Sequence, residues 1–195
     1  KTKGVVLSVK EASVKIPGIF VQNLIVEAVP ILLFFLFLFW LGKNFQTEMY
    51  LKITGKMQKC TVGILGGILL ALALWCLVTK ADKVTVLYNL LYYTVFIAFA
   101  EEFVVRGICV YLVRGEEPYI RYLAPNLLFA VMHLFSYANW GAITVPYVIS
   151  FVSSELLGLL TMGCIFQFLK EKSGTLWTAV LVHAILDYSV VLSYR

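Results

Sequence analysis

The sequence predicts an all-α, polytopic integral membrane helix bundle of about six transmembrane helices. Three observations carry this. The 195 residues are 61% hydrophobic and only 14% charged, with a mean hydropathy of +0.90. A soluble globular domain is typically about 45–50% apolar and about 25% charged. Apolar segments recur along the chain, and most reach the roughly 20 residues needed to cross about 30 Å of hydrocarbon. Short basic or polar turns separate them, without internal repeats or low-complexity stretches.

Residues 1–17, KTKGVVLSVKEASVKIP, are mixed and basic, and read as an interfacial or flexible N-terminal segment. Residues 18–41 form the first expected span, carrying Glu27 and a kink candidate at Pro30. This apolar segment begins late and is long enough to remain as a span, so no cleavable signal peptide is expected. A basic loop follows. Residues 60–78 form an uncharged second span whose glycines allow close helix packing. The third, 84–113, contains AFAEEFVVRG, and the polar turn RGEEPY ends it. The fourth, 120–137, holds His133; the fifth, 142–169, has Pro146 as its expected break; the sixth, 175–194, holds His183 and Asp187. The whole of 1–195 reads as a single membrane domain, with the chemistry concentrated in 84–194. Trp40, Trp140 and Trp177 lie near span ends, where aromatic anchors belong.

The net charge is +5 and the pI near 9.0. With no basic stripe and no recognition motif, nucleic acid is not an expected partner. Lysines beside spans meet anionic headgroups instead, so the expected neighbour is membrane lipid. Lys and Arg divide almost evenly between the two sides, so orientation stays open. Cys60, Cys76, Cys109 and Cys164 are far apart and form no CxxC pair. They support neither a disulfide framework nor a thiolate metal site, and read as small buried residues.

The ionisable residues inside the apolar segments need a reason. A charge at the bilayer centre costs about 2.5–3.5 kcal/mol on insertion scales. Glu101, Glu102, Arg106, Glu155 and Asp187 lie in the last four spans, together with His133 and His183, the two histidines of the chain. Glu102 and Arg106 stand four apart, in the order that favours an intrahelical ion pair. Glu101 lies about 140° from Arg106 around the same helix, free to point elsewhere. The division that follows is structural for Glu102 and Arg106, chemical for Glu101. A desolvated carboxylate near a histidine can serve as a general base. His183 and Asp187 also stand four apart, on one face of the last span. Three helices thus supply polar faces that can converge, the way bundles build sites. Glu155 and Glu27 match no motif; Glu155 is as consistent with a substrate path as with helix packing.

EExxxR (Glu101, Glu102, Arg106), FxxxH (Phe129, His133) and HxxxD (His183, Asp187) occur in that order on separate apolar segments. In this the chain resembles the CAAX-protease and bacteriocin-processing family, also called Abi, of intramembrane endopeptidases. The resemblance implies that Glu101 and His133 activate a water, and that His183 with Asp187 completes the site and stabilises the oxyanion. Glu102, Arg106 and Phe129 support them. Prenyl-protein proteases of the family commonly carry Asn where this chain has Asp187. An ionised Asp cannot donate a hydrogen bond. It is therefore protonated, or it orients His183, or it helps bind a metal. Glu101, His133, His183 and Asp187 are chemically adequate for zinc. HExxH is absent, and the resemblance favours a reaction that requires no cofactor. The expected activity is cleavage of a membrane-associated peptide or protein tail, with a lean toward peptide processing in a bacterial cell membrane; whether a membrane protein partner such as an exporter stands beside it is left open by the sequence. Two other readings stand beside it: a proton-coupled transporter with a carboxylate–histidine relay, and a catalytically silent immunity or scaffold member of the family.

Overall fold

The computed structural model describes residues 50–136 and 143–193, with Leu32 and Leu36 besides. The expected span 18–41 with Glu27 and Pro30, the segment 1–17, Trp40 and Trp140 lie outside the described residues. Those described form helices and connecting turns, with no strand among them.

Helix α1, Lys56–Thr79, is the long uncharged run after Lys59. The Gln58 side chain turns back at its start and accepts from the backbone N–H of Thr54 and Gly55, both at 2.9 Å. This satisfies donors that a helix start leaves orphaned. Its amide nitrogen donates to Gly174 O at 2.7 Å, tying α1 to a turn far along the chain. Leu69, Ala73 and Cys76 share the buried stripe, whereas Trp75 is 63% exposed.

Helix α2 spans 83–112 without interruption but not with uniform pitch. Asp82 caps it, accepting from Thr85 N at 3.1 Å. Regular α-helix over Lys83–Leu91 widens into a π-helix over Tyr92–Phe99. A single α turn, Ala100–Glu102, is followed by a second π segment, Phe103–Cys109, before α geometry returns at Val110–Leu112. The two glutamates occupy the one tight turn between two wide ones.

Helix α3, Pro118–Ser136, begins on proline and contains Pro125. Proline has no N–H to offer the carbonyl four residues earlier. That carbonyl, Arg121 O, instead accepts from Gln167 Nε2 at 3.0 Å. The break in the helix ladder becomes a bond to another helix.

The expected fifth span is two helices, α4 over Val145–Ser154 and α5 over Leu156–Ser173, meeting at 45°. The break is not at Pro146, which sits in the first turn of α4 where proline is tolerated. It is at Ser154–Glu155. Ser153 and Ser154 both donate side-chain hydroxyls to Ser150 O, at 3.0 and 2.8 Å. Such back-bonding competes with the helix ladder and bends it. Gly174, at φ 67°, closes α5 in the left-handed conformation that suits glycine. Helix α6 is Leu176–Ser193. Its start is held by residues 50–51, with Leu176 N donating to Tyr50 O and Trp177 Nε1 to Leu51 O, both at 2.9 Å.

One apolar cluster joins α1, α2 and α6 through Leu69, Ala73, Cys76, Val86, Ala98, Ala184, Tyr188 and Val191. A second stacks Phe99 and Phe103 of α2 on Leu176 and Val180 of α6. Small residues at Ala73, Ala98 and Ala184, all 0–2% exposed, let the backbones approach. Helix α5 packs on both α3 and α6. Among the described residues α1 is long and apolar enough to cross a membrane, and the bent α4–α5 pair passes if taken as one span. The four cysteines are unpaired; of the four expected to be buried, Cys76 is, Cys109 and Cys164 are partly so, and Cys60 is exposed.

Candidate active site

Glu102 and Arg106 are each 0% exposed, with Arg106 Nη1 donating to Glu102 Oε1 at 3.2 Å. The i, i+4 spacing survives the onset of the π turn. The same Glu102 oxygen lies 2.9 Å from His183 Nδ1 on α6. A carboxylate shared with Arg106 accepts, so Nδ1 carries the proton. Glu102 therefore fixes the ring of His183 as well as balancing Arg106. Phe166 stacks on that ring at 4.7 Å and lies 5.6 Å from the Arg106 guanidinium, which also lies 4.5 Å from the Phe129 ring.

Glu101 points away from this pair into a half-open space. Its Oε2 is 3.8 Å from His183 Nε2, and its Oε1 is 4.0 Å from His133 Nε2. Its side chain is 30% exposed, against 15% for His133 and 8% for His183. His133 Nδ1 lies 2.9 Å from Phe129 O, a carbonyl that can only accept, which leaves Nε2 as the basic nitrogen facing Glu101. This is the physical content of the FxxxH spacing: the residue one turn back orients the imidazole through its carbonyl, and its ring meets the imidazole edge-on at 4.5 Å. Asp187 Oδ2 is 3.3 Å from His183 Nε2. Both nitrogens of His183 thus face carboxylates.

The structure therefore brings Glu101, His133, His183 and Asp187 into one cluster from α2, α3 and α6. Glu155 is not part of it; it is exposed at the α4–α5 bend and lines a separate cleft with Tyr147, Ser150 and Ser154. Among the described residues no three His, Cys, Asp or Glu are arranged to hold a metal ion. The two imidazole Nε2 atoms stand 3.8–4.0 Å from the nearest Glu101 oxygens. Ligand atoms on a tetrahedral zinc, bound at about 2.0–2.1 Å, sit closer to one another than that.

Four residues behind the cluster escaped the sequence reading. Arg106 Nη2 donates to Asn126 Oδ1 at 2.9 Å, and Asn126 Nδ2 donates to Gln167 Oε1 at 3.0 Å. Asn126 and Gln167 are 0% exposed. Lys170, 2% exposed, donates to Arg106 O at 2.6 Å. Gly163 makes room: a Cβ there would lie 2.6 Å from Asn126 Oδ1 and 2.8 Å from Arg106 Nη2. The signal for the first two was present, since an amide in an apolar helix demands a partner.

A half-buried carboxylate flanked by two oriented imidazoles is an arrangement able to move protons at a shielded site. Residues 83–189 match the family model of the type II CAAX prenyl endopeptidase Rce1-like proteins, and the chain belongs to that family. Its members are membrane-protein peptidases. Comparison with curated proteins and with solved structures returned no match.

Proposed function

We propose that this chain is an intramembrane endopeptidase that cleaves a membrane-associated peptide or protein tail with water. The observation that carries the reading is Glu101 placed between His133 and His183, one oxygen toward each. The 4.0 Å between Glu101 Oε1 and His133 Nε2 exceeds a direct hydrogen bond and suits a bridging water. Glu101 takes a proton from that water while His133 Nε2 accepts a hydrogen bond from the hydroxide that remains. The hydroxyl oxygen attacks the peptide carbonyl carbon. His183, oriented by Glu102 and Asp187, faces the negative charge that develops on the carbonyl oxygen. Asp187 acts here by holding the ring, the role that its ionised form can perform. The proton on Glu101 passes to the departing amine as the C–N bond breaks.

The proposal takes the whole chain to be a bundle of about six spans in a bacterial cell membrane. The outward apolar face of α1 and the family's membrane character support the membrane location. It also takes the reaction to need no metal. Activity of the purified chain should then survive 1,10-phenanthroline and EDTA; loss restored by added zinc would return Glu101 and the histidines to a ligand role.

Glu101→Gln keeps the shape of the side chain and removes the base. We expect cleavage to fall at least about 100-fold, with far-UV circular dichroism and membrane insertion unchanged. Mass spectrometry of peptide termini, comparing cells with the native chain and with Glu101→Gln, reads this directly. A terminus found only with the native chain names a substrate; retained cleavage by the variant removes Glu101 from the mechanism.

A further inference from the structure

A second site lies at the other end of α2. A cavity of about 830 Å³ is lined by Tyr50, Val110, Tyr111, Arg114, Arg121, Lys170 and Glu171. Val110 lies beyond the second wide segment of α2 from Glu101, and none of the cluster residues Glu101, His133, His183 and Asp187 lines this space. Among the described residues its lining carries three cations and one carboxylate. The carboxylate is engaged elsewhere: Glu171 accepts from Gln167 Nε2 at 3.3 Å and from the Tyr122 hydroxyl. The cations are held in position. Arg114 donates to Tyr111 O at 2.9 Å and stacks on the Tyr111 ring at 3.9 Å. Lys170 lies 4.8 Å over the Tyr50 ring. Arg121 differs. Its Nε is buried and makes no hydrogen bond, and its guanidinium forms no ion pair among the described residues. Two guanidiniums and an ammonium around one engaged carboxylate suit an anion with several oxygens.

We propose that this cavity binds a phosphate group, and that the group belongs to an anionic lipid. The volume is far larger than a lone carboxylate needs and within the range of small-molecule sites. The fork of an arginine matches phosphate oxygens two at a time. The lining comes from the end of α2, the start of α3 and the end of α5, and includes two tyrosines. Helix ends with tyrosine and basic side chains are where lipid headgroups sit. The lipid source, unlike the phosphate chemistry, rests on the membrane reading above.

The test is thermal stability and lipid retention of the full chain purified in neutral detergent. One arm adds phosphatidylglycerol or phosphatidylcholine; the other adds inorganic phosphate without lipid. Retention of phosphatidylglycerol over phosphatidylcholine, weakened about tenfold in R114Q/R121Q and unchanged in the exposed-lysine control K56Q/K59Q, supports a lipid headgroup. Stabilisation by inorganic phosphate alone, lost in the same variant, supports the phosphate site with a soluble source. Equal loss in both double variants, or no effect of either probe, overturns the site. Should R114Q/R121Q fail to fold, R121K keeps the charge and removes the fork, and must still weaken retention. E101Q must bind like the native chain, so failure of the peptidase reading and failure of this one are told apart.

Discussion

Arg106 shows how much one side chain can organise. It is fully buried, ion-paired to Glu102, hydrogen-bonded to Asn126 and close to the rings of Phe129 and Phe166. Removing one partner of a buried ion pair typically costs about 3–5 kcal/mol, because the other charge stays buried. His183 still bonds Glu102 in Arg106→Met, so the loss should fall near 3 kcal/mol, the low end of that range. Thermal unfolding in detergent checks this, with Glu101→Gln as the variant expected near native stability. At this scale the spacing of EExxxR and HxxxD was readable because both lie within single helices, where periodicity dictates neighbours. FxxxH came through resemblance, and its meaning appeared only in the Phe129 carbonyl. Asn126, Gln167 and Lys170 were not found, since Asn126 and Lys170 meet Arg106, and Gln167 meets Asn126, from different helices, and no sequence period records such meetings.

The elements explain why those meetings are possible. Helix α5 approaches α2 and α3 closely at Gly163, where a methyl group would strike Asn126 and Arg106. Gly163→Ala should therefore destabilise the protein by about 1–3 kcal/mol, the usual cost of overpacking, despite alanine's better helix propensity. A melting temperature equal to or above the native value would show that the network yields without cost. The extents of α1, α3 and α6 were close to expectation because long apolar runs bounded by polar turns define them. The bend between α4 and α5 was misplaced. Proline draws attention as a breaker, but in a first turn it breaks nothing, whereas Ser153 and Ser154 divert the carbonyl of Ser150. The π segments of α2 were invisible, since an all-apolar stretch reads the same at either pitch.

For the whole molecule, polar contacts run from Glu171 through Gln167, Asn126, Arg106 and Glu102 to His183, crossing four helices. The all-helical class followed from composition together with apolar segments of about 20 residues. The order of helix packing did not, because apolar faces of similar composition do not record which partner each meets. Many large apolar residues face outward, among them Met57, Val78 and Leu157. An exposed apolar surface of that breadth needs a non-aqueous neighbour. We expect the chain to stay with the membrane pellet after alkaline carbonate extraction and to leave it only with detergent. Release by carbonate alone would contradict the membrane reading while leaving the geometry of the cluster untouched.

The two wide segments of α2 act as phase shifters. Each lets the helix carry extra chain per turn, so the azimuth of Glu101 is decoupled from the faces presented by Tyr88 at one end and Arg114 at the other. Were the helix uniform, aiming Glu101 at the histidines would fix where both ends face. As built, the core contacts of the first half, the carboxylates in the middle and the cationic cavity at the far end are aimed independently. Length, not composition, holds that setting: substitutions leave the azimuth alone, whereas losing one residue would turn one end against the other by about 100°.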